Sequence, residues 1–132
     1  MRRISMKDLM LSLSDKRNFI TTQDGRFRMD LDSGIYYDNE TMIGRLGLRE
    51  LHVFSLLLAH QGKLVSRESI LTIVWGDRVV TETVVTVAIS KIRTLLKKIC
   101  GNGDYIITVS GCGYIFNAEQ TGMVVAEESP PP

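Results

Sequence analysis

Apolar positions divide the chain into stretches of two different periods. From Asn18 to Leu46, short β-rich runs at 18–22, 26–31, 34–38 and 41–46 are separated by the turn pairs Asp24-Gly25, Ser33-Gly34 and Asp38-Asn39. This is the pattern of an antiparallel meander. Beyond Leu46 the period lengthens. In "LRELHVFSLLLAHQG", Leu51, Phe54, Leu57 and Leu58 recur at helical spacing, and Gly62 supplies a C-terminal stop. "SRESILTIVWG" repeats the design on a shorter scale, with Ser66 as N-cap, Glu68 in the first turn, Ile70, Leu71 and Val74 inward, and Gly76 at the end.

The run "VVTETVVTV" (Val79 to Val87) is β-branched at every position but Glu82, and by propensity suits a strand. It leads into "AISKIRTLLKKI", a basic amphipathic stretch. On a helical wheel Val85, Ile89, Ile92, Leu96 and Ile99 form one apolar stripe flanked by Ala88 and Leu95, continuous across the junction. Strand alternation fails at Val84-Val85. One helix is therefore predicted over 82–99, with Thr81 as its N-cap. "GNG" then makes a turn, and "YIITVSGCGYIF" reads as a hairpin with its tip at Ser110-Gly111-Cys112-Gly113. Residues 1–17 form an N-terminal extension without an assigned role, 18–117 one folded domain, and 118–132, ending in "EESPPP", a flexible tail or linker.

Composition changes little of this picture. With 132 residues, 44% hydrophobic and 23% charged, there is material for one domain with a core. The net charge of +1 does not advertise a nucleic-acid binder, but its distribution does: from Arg78 to Lys98 five cations face Glu82 alone, a local +4. The two cysteines, Cys100 and Cys112, lack metal-ligand spacing and are read as free thiols in a reducing compartment. No run approaches the ~20 apolar residues of a membrane span, and no signal peptide is legible, so a soluble, cytoplasmic chain is expected. No Gly-rich phosphate loop, nucleophile–base pair or metal set is present, so neither an enzyme nor a bound cofactor is expected.

The chemistry lies on the face opposite the apolar stripe. Thr83, Thr86, Val87, Ser90, Thr94 and Lys97 share it, with Lys91 and Arg93 on its flanks. Small side chains allow close backbone approach, hydroxyls can bond bases or phosphates, and a Val methyl can meet the thymine C5 methyl group. The competing reading is a solvated, Thr-rich face.

Helix, helix, turn, basic helix and hairpin is the order of a winged helix, in which the second member of a helix-turn-helix pair reads the major groove. The expected class is α+β: a winged helix with an N-terminal antiparallel β-sheet, three helices and a C-terminal β-hairpin wing. From about Phe27 to Phe116 the chain resembles the OmpR/PhoB-type winged-helix DNA-binding domain. "LGLRE", "GKLVSRESILTIVWG", "VVTVAISKIRTLL" and "IITVSGCGYIF" carry the likeness. The wording "VWG…VVT…V…AIS.IR..L" is most similar to the ToxR/CadC-like branch. That implies a cytoplasmic domain joined by a linker to an inner-membrane span absent from this chain. No receiver domain precedes it, so aspartyl phosphorylation is not expected as its own input; a free-standing regulator is the other option.

The resemblance implies roles residue by residue. Arg67 and Trp75 contact phosphates; Thr86, Val87 and Lys91 face bases; Thr83, Ser90 and Arg93 reach backbone or groove edges; Thr108, Ser110 and Tyr114 lie at the wing. The loop holding Asp77, Arg78, Val79 and Val80 is where that family meets RNA polymerase, and a homodimer on repeated half-sites is implied. Many relatives place cations in the wing where this chain has Ser110 and Ile115, which shifts phosphate binding onto the third helix. Alternatives stand beside these roles: Trp75 as core, Arg93 as an ion-pair partner of Glu50 or Glu68, Tyr114 packed under the wing, Cys112 inert, and His52 and His60 as ordinary helix residues. The expected partner is double-stranded DNA and the function sequence-specific transcriptional regulation. The competing class is a winged-helix protein-interaction module that has lost DNA binding.

Overall fold

The computed structural model describes residues 17–128; residues 1–16 of the N-terminal extension and the final "SPPP" lie outside the described residues. Four strands open the described segment: β1 (Arg17–Thr22), β2 (Phe27–Asp30), β3 (Ile35–Asp38) and β4 (Thr41–Arg45), each antiparallel to the one before. The meander thus forms where the turn signals placed it. The β3–β4 turn is the two-residue loop Asn39-Glu40, both at positive φ (49° and 71°). That handedness suits the twist of a hairpin, and Asn tolerates it better than Glu.

Helix α1 (Leu48–Ala59) follows, then a short strand β5 (Leu64–Ser66). The next helix, α2, is α-helical over Arg67–Ile70 and continues as a π-helical turn over Leu71–Trp75. Ser66 caps it as expected, its hydroxyl oxygen accepting from the Ser69 N–H at 3.0 Å. At the far end Arg49 of α1 donates to the Val74 carbonyl at 2.7 Å, giving one orphan helix-end acceptor a charged partner. Helix α3 (Thr83–Cys100) then spans the core. All seven residues of its predicted stripe and flanks are buried: Val85, Ala88, Ile89, Ile92, Leu95, Leu96 and Ile99. The β-branched run is helical from Thr83 because those seven burials outweigh propensity differences of at most about 0.7 kcal/mol per residue. Thr81 is not the N-cap. That position belongs to Glu82, with no side-chain cap, and Thr81 contributes its backbone carbonyl to the Val84 N–H at 3.2 Å.

The wing is the hairpin β6 (Ile106–Val109) and β7 (Gly113–Phe116), with β5 completing a three-stranded sheet in the order β5-β7-β6. Gly113 makes this possible: a Cβ there would overlap the Val65 carbonyl oxygen and crowd the Ser66 Cα at 2.8 Å. Phe116 closes the core against Phe54 in an edge-to-face contact, centroids 5.6 Å apart.

Over 118–128 the structure corrects the expected flexible tail of 118–132. A short turn of helix, α4 (Ala118–Thr121), leads into β8 (Met123–Glu128), which pairs antiparallel with the whole of β1, from Thr22↔Met123 to Arg17↔Glu128. The N-terminal sheet is therefore five-stranded, in the order β4-β3-β2-β1-β8, with β8 at its edge. "MVVAEE" carries strand propensity, but its partner lies at the other end of the chain, beyond the reach of a local pattern.

Candidate nucleic-acid interface

The burial of seven inward residues leaves α3 with one solvent face. Thr83, Thr86, Val87, Ser90, Lys91, Thr94 and Lys97 are all exposed on it, and Val87 keeps 46% of its surface in water. The structure thus brings together every expected α3 position but one. The Thr94 hydroxyl donates back to the Ser90 carbonyl at 3.0 Å, leaving its oxygen lone pairs outward as acceptors.

The exception is Arg93. Half-buried, it donates from Nη2 to the Ile106 carbonyl at 2.7 Å and to the Thr108 hydroxyl at 2.8 Å. It pairs with neither Glu50 nor Glu68; it fastens the first wing strand to α3. Glu50 instead meets Lys91, Nζ to Oε1 at 2.9 Å. Burial pushes the Glu50 carboxyl upward, but the Lys91 hydrogen bond, its own backbone N–H and the Lys91 charge outweigh this and hold it below the usual carboxylate value. Glu50 is the residue that sequence reasoning missed as a member of this face, having matched it to the wrong cation. Its spacing within α1 carried no sign of which turn of α3 it would meet.

Two expected contact residues lie inside. Trp75 is 8% exposed and belongs to the hydrophobic core with Val74 and Ile70. Tyr114 is 2% exposed, so at the wing it packs inward and does not present a ring to solvent. The cause is the same for both: a large aromatic beside close-packed aliphatic neighbours gains most by burial. Tyr114 has a charged companion. The Arg67 guanidinium stands 5.6 Å from its ring centroid, and Nη2 reaches its hydroxyl at 3.4 Å. The Arg67 backbone N–H donates to the Cys112 carbonyl at 3.1 Å, so the start of α2 and the wing tip are tied together. The Arg67 Nε is buried without a partner.

At the wing, Thr108 and Ser110 are exposed, although Thr108 already accepts from Arg93. In the loop between α2 and α3, Asp77, Arg78 and Val79 are exposed, Val79 completely, and Val80 is half-buried against the core. Both cysteines are free. Burial raises the Cys100 thiol to about 11, while Cys112 is exposed at the wing tip. Among the described residues there is no group of metal-ligating side chains, and no helix is long and apolar enough to cross a membrane.

Comparison with known proteins agrees with this fold. The probable transcriptional regulator ycf27 of Cyanidium caldarium is 32% identical over 121 residues, 87% of this chain and 47% of its own length. The chain thus spans about half the length of that relative. Among solved structures, the DNA-binding domain of Escherichia coli CadC superposes with a TM-score of 0.64 at 24% identity, covering 83% of this chain and 97% of that domain. The DNA-binding domain of the response regulator AdeR, solved in complex with an intercistronic region, gives 0.55 at 23% identity, covering 70% and 94%. At such identities these two likenesses concern the fold, a winged helix. The family described as "Transcriptional regulatory protein, C terminal" matches residues 41–116, from β4 to the end of the wing. The chain belongs to this family, the OmpR/PhoB-type winged-helix domains of transcriptional regulators.

Proposed function

We propose that this chain is a sequence-specific DNA-binding transcriptional regulator, without catalytic activity, that reads the major groove with α3. The observation that carries the reading is the outward face of that helix. Hydroxyls and the Val87 methyls lie toward its N-terminal half and cations toward its C-terminal half, on a helix held rigid by a buried stripe. Small groups that admit close approach, beside cations that neutralise phosphate, are what groove entry needs. Membership of the family and the DNA-bound fold relative support it.

Within this reading Arg67, Lys91 and Lys97 supply cations, Thr83, Thr86 and Ser90 hydroxyls, and Val87 a methyl contact. The Asp77 to Val80 loop is a surface for RNA polymerase, and two copies bind repeated half-sites about one helical turn apart. A tether to a membrane would act through chain beyond the segment described.

One observation favours a second reading, a protein-interaction module. Leu64, Ile115 and Ile107 stand in one register row across the three strands of the wing sheet, and Leu64 and Ile107 are 49% and 42% exposed. Retention on random duplex DNA against rising salt separates the two. Groove reading requires log affinity to fall with log salt, by about 0.9 per phosphate contacted. Affinity that is flat from low to physiological salt would remove the DNA-binding reading and leave the apolar row as the working surface.

A further inference from the structure

The cation most central to the α3 face is not free. Lys91 and the exposed half of α3 border a groove closed on its other side by β4 and the start of α1. Tyr36, Arg45, Glu50, Ser90 and Lys98 also line it. Each cation of the groove is engaged within the protein: Arg45 with the Ser33 carbonyl at 3.3 Å, Lys98 over the Tyr36 ring at 5.9 Å, Lys91 with Glu50 at 2.9 Å. Among the described residues, Glu50 is the sole carboxylate lining it. The pair is asymmetric, the Lys91 side chain 60% exposed and the Glu50 side chain 14%. The carboxylate is therefore the fixed member. Gly47 keeps room for it, since a Cβ there would stand 2.6 Å from Glu50 Oε2.

We propose that Glu50 is a specificity-determining residue of the DNA-reading face, acting by tethering the Lys91 ammonium. This rests on the reading of α3 as the groove-entering helix and adds to it a residue that touches no DNA itself. A tethered ammonium reaches outward only as far as its contact with Glu50 allows. In a loose, nonspecific complex, phosphates would have to compete with a charged partner already in place at contact distance, so Lys91 adds little. In the tightly docked cognate complex, the two N–H donors not used by Glu50 meet a base edge or nearby phosphate without breaking the pair. Glu50 thus lowers affinity for random DNA more than for the operator.

The test is a double-mutant cycle on the intact chain: wild type, Glu50→Gln, Lys91→Met and the double variant. Each is titrated by fluorescence anisotropy on a duplex selected by the wild type and on a random duplex, over a range of salt. Circular dichroism confirms the fold. Glu50→Gln is expected to tighten random-DNA binding severalfold and steepen its salt slope by about 0.9, one additional phosphate contact. Operator affinity changes less, so the operator-to-random ratio falls. In the Lys91→Met background, Glu50→Gln should then change random-DNA binding hardly at all. An equal gain with and without Lys91 would mean that the carboxylate merely repels DNA, and would overturn the proposal. So would an unchanged slope and ratio in folded Glu50→Gln. A wild type that binds neither duplex at low salt would instead refute the DNA-binding reading itself, before any variant is compared.

Discussion

The two parts of the molecule expected to meet DNA, α3 and the wing, are built on opposite plans. α3 is anchored by side chains: seven of its residues are buried and eight exposed polar or small positions are left over. The wing is anchored by close backbone approach at Gly113 and by side chains of its own, Tyr114 and Phe116 inward, with Thr108 held by Arg93. Little of it remains to bind with: Ser110 at the tip, and an apolar row on its outer face. On a helix, an inward stripe and an outward face coexist over many turns. On a four-residue strand, alternation leaves two positions outward, and here pairing and clasping use part of them.

The largest test of that contrast is Gly113→Ala. The added methyl meets the backbone of β5, which cannot rotate aside as a side chain would. Destabilisation of about 3 kcal/mol is expected in urea unfolding, with the wing affected first. A near-neutral result would mean that β5 and β7 pair more loosely than their register implies.

Val87→Ala probes the other plan. Ala is the better helix former, so fold stability should hold while operator affinity falls by about 1–2 kcal/mol, with almost no change on random DNA. Equal binding to the operator would make the β-branched run a structural feature without a reading role.

Arg93→Ala addresses the joint between the two. As a clasp, its loss should cost about 1 kcal/mol of stability, the scale of charge-assisted hydrogen bonds discounted for partial exposure, and leave the salt slope of DNA binding nearly unchanged. A slope lower by about 0.9 with stability intact would return Arg93 to the role of phosphate ligand.

The smallest effect is expected from Ser110→Arg. On the exposed tip it should leave stability unaltered, tighten binding to all duplexes alike by less than about 1 kcal/mol, and steepen the salt slope by one contact. If the slope does not move, the wing tip of this protein stands clear of the duplex.

The α3 face was almost entirely legible in the sequence, because a helix of 18 residues repeats its period often enough to assign each side chain inward or outward. The aromatic and cationic positions were less legible. The resemblance gives Trp75, Tyr114 and Arg93 a contact role, and the structure places the first two in the core and bonds the third to the first wing strand. Residue type states what a side chain is able to do. Burial and neighbours decide which of those things it does.

Local pattern alone determined the meander and its turns, the three principal helices, the Ser66 cap, the buried stripe of α3 and the hairpin of the wing. Each depends on neighbours within a few residues, where period, turn chemistry and propensity act directly. Tertiary structure alone decided that Met123–Glu128 is the edge strand beside β1, that Glu50 meets Lys91, that Arg93 holds the wing, and that Gly113 must lack a side chain. These are encounters between residues far apart in the chain. Their partners are selected by how the two sheets and α1 pack around α3, which no single segment encodes.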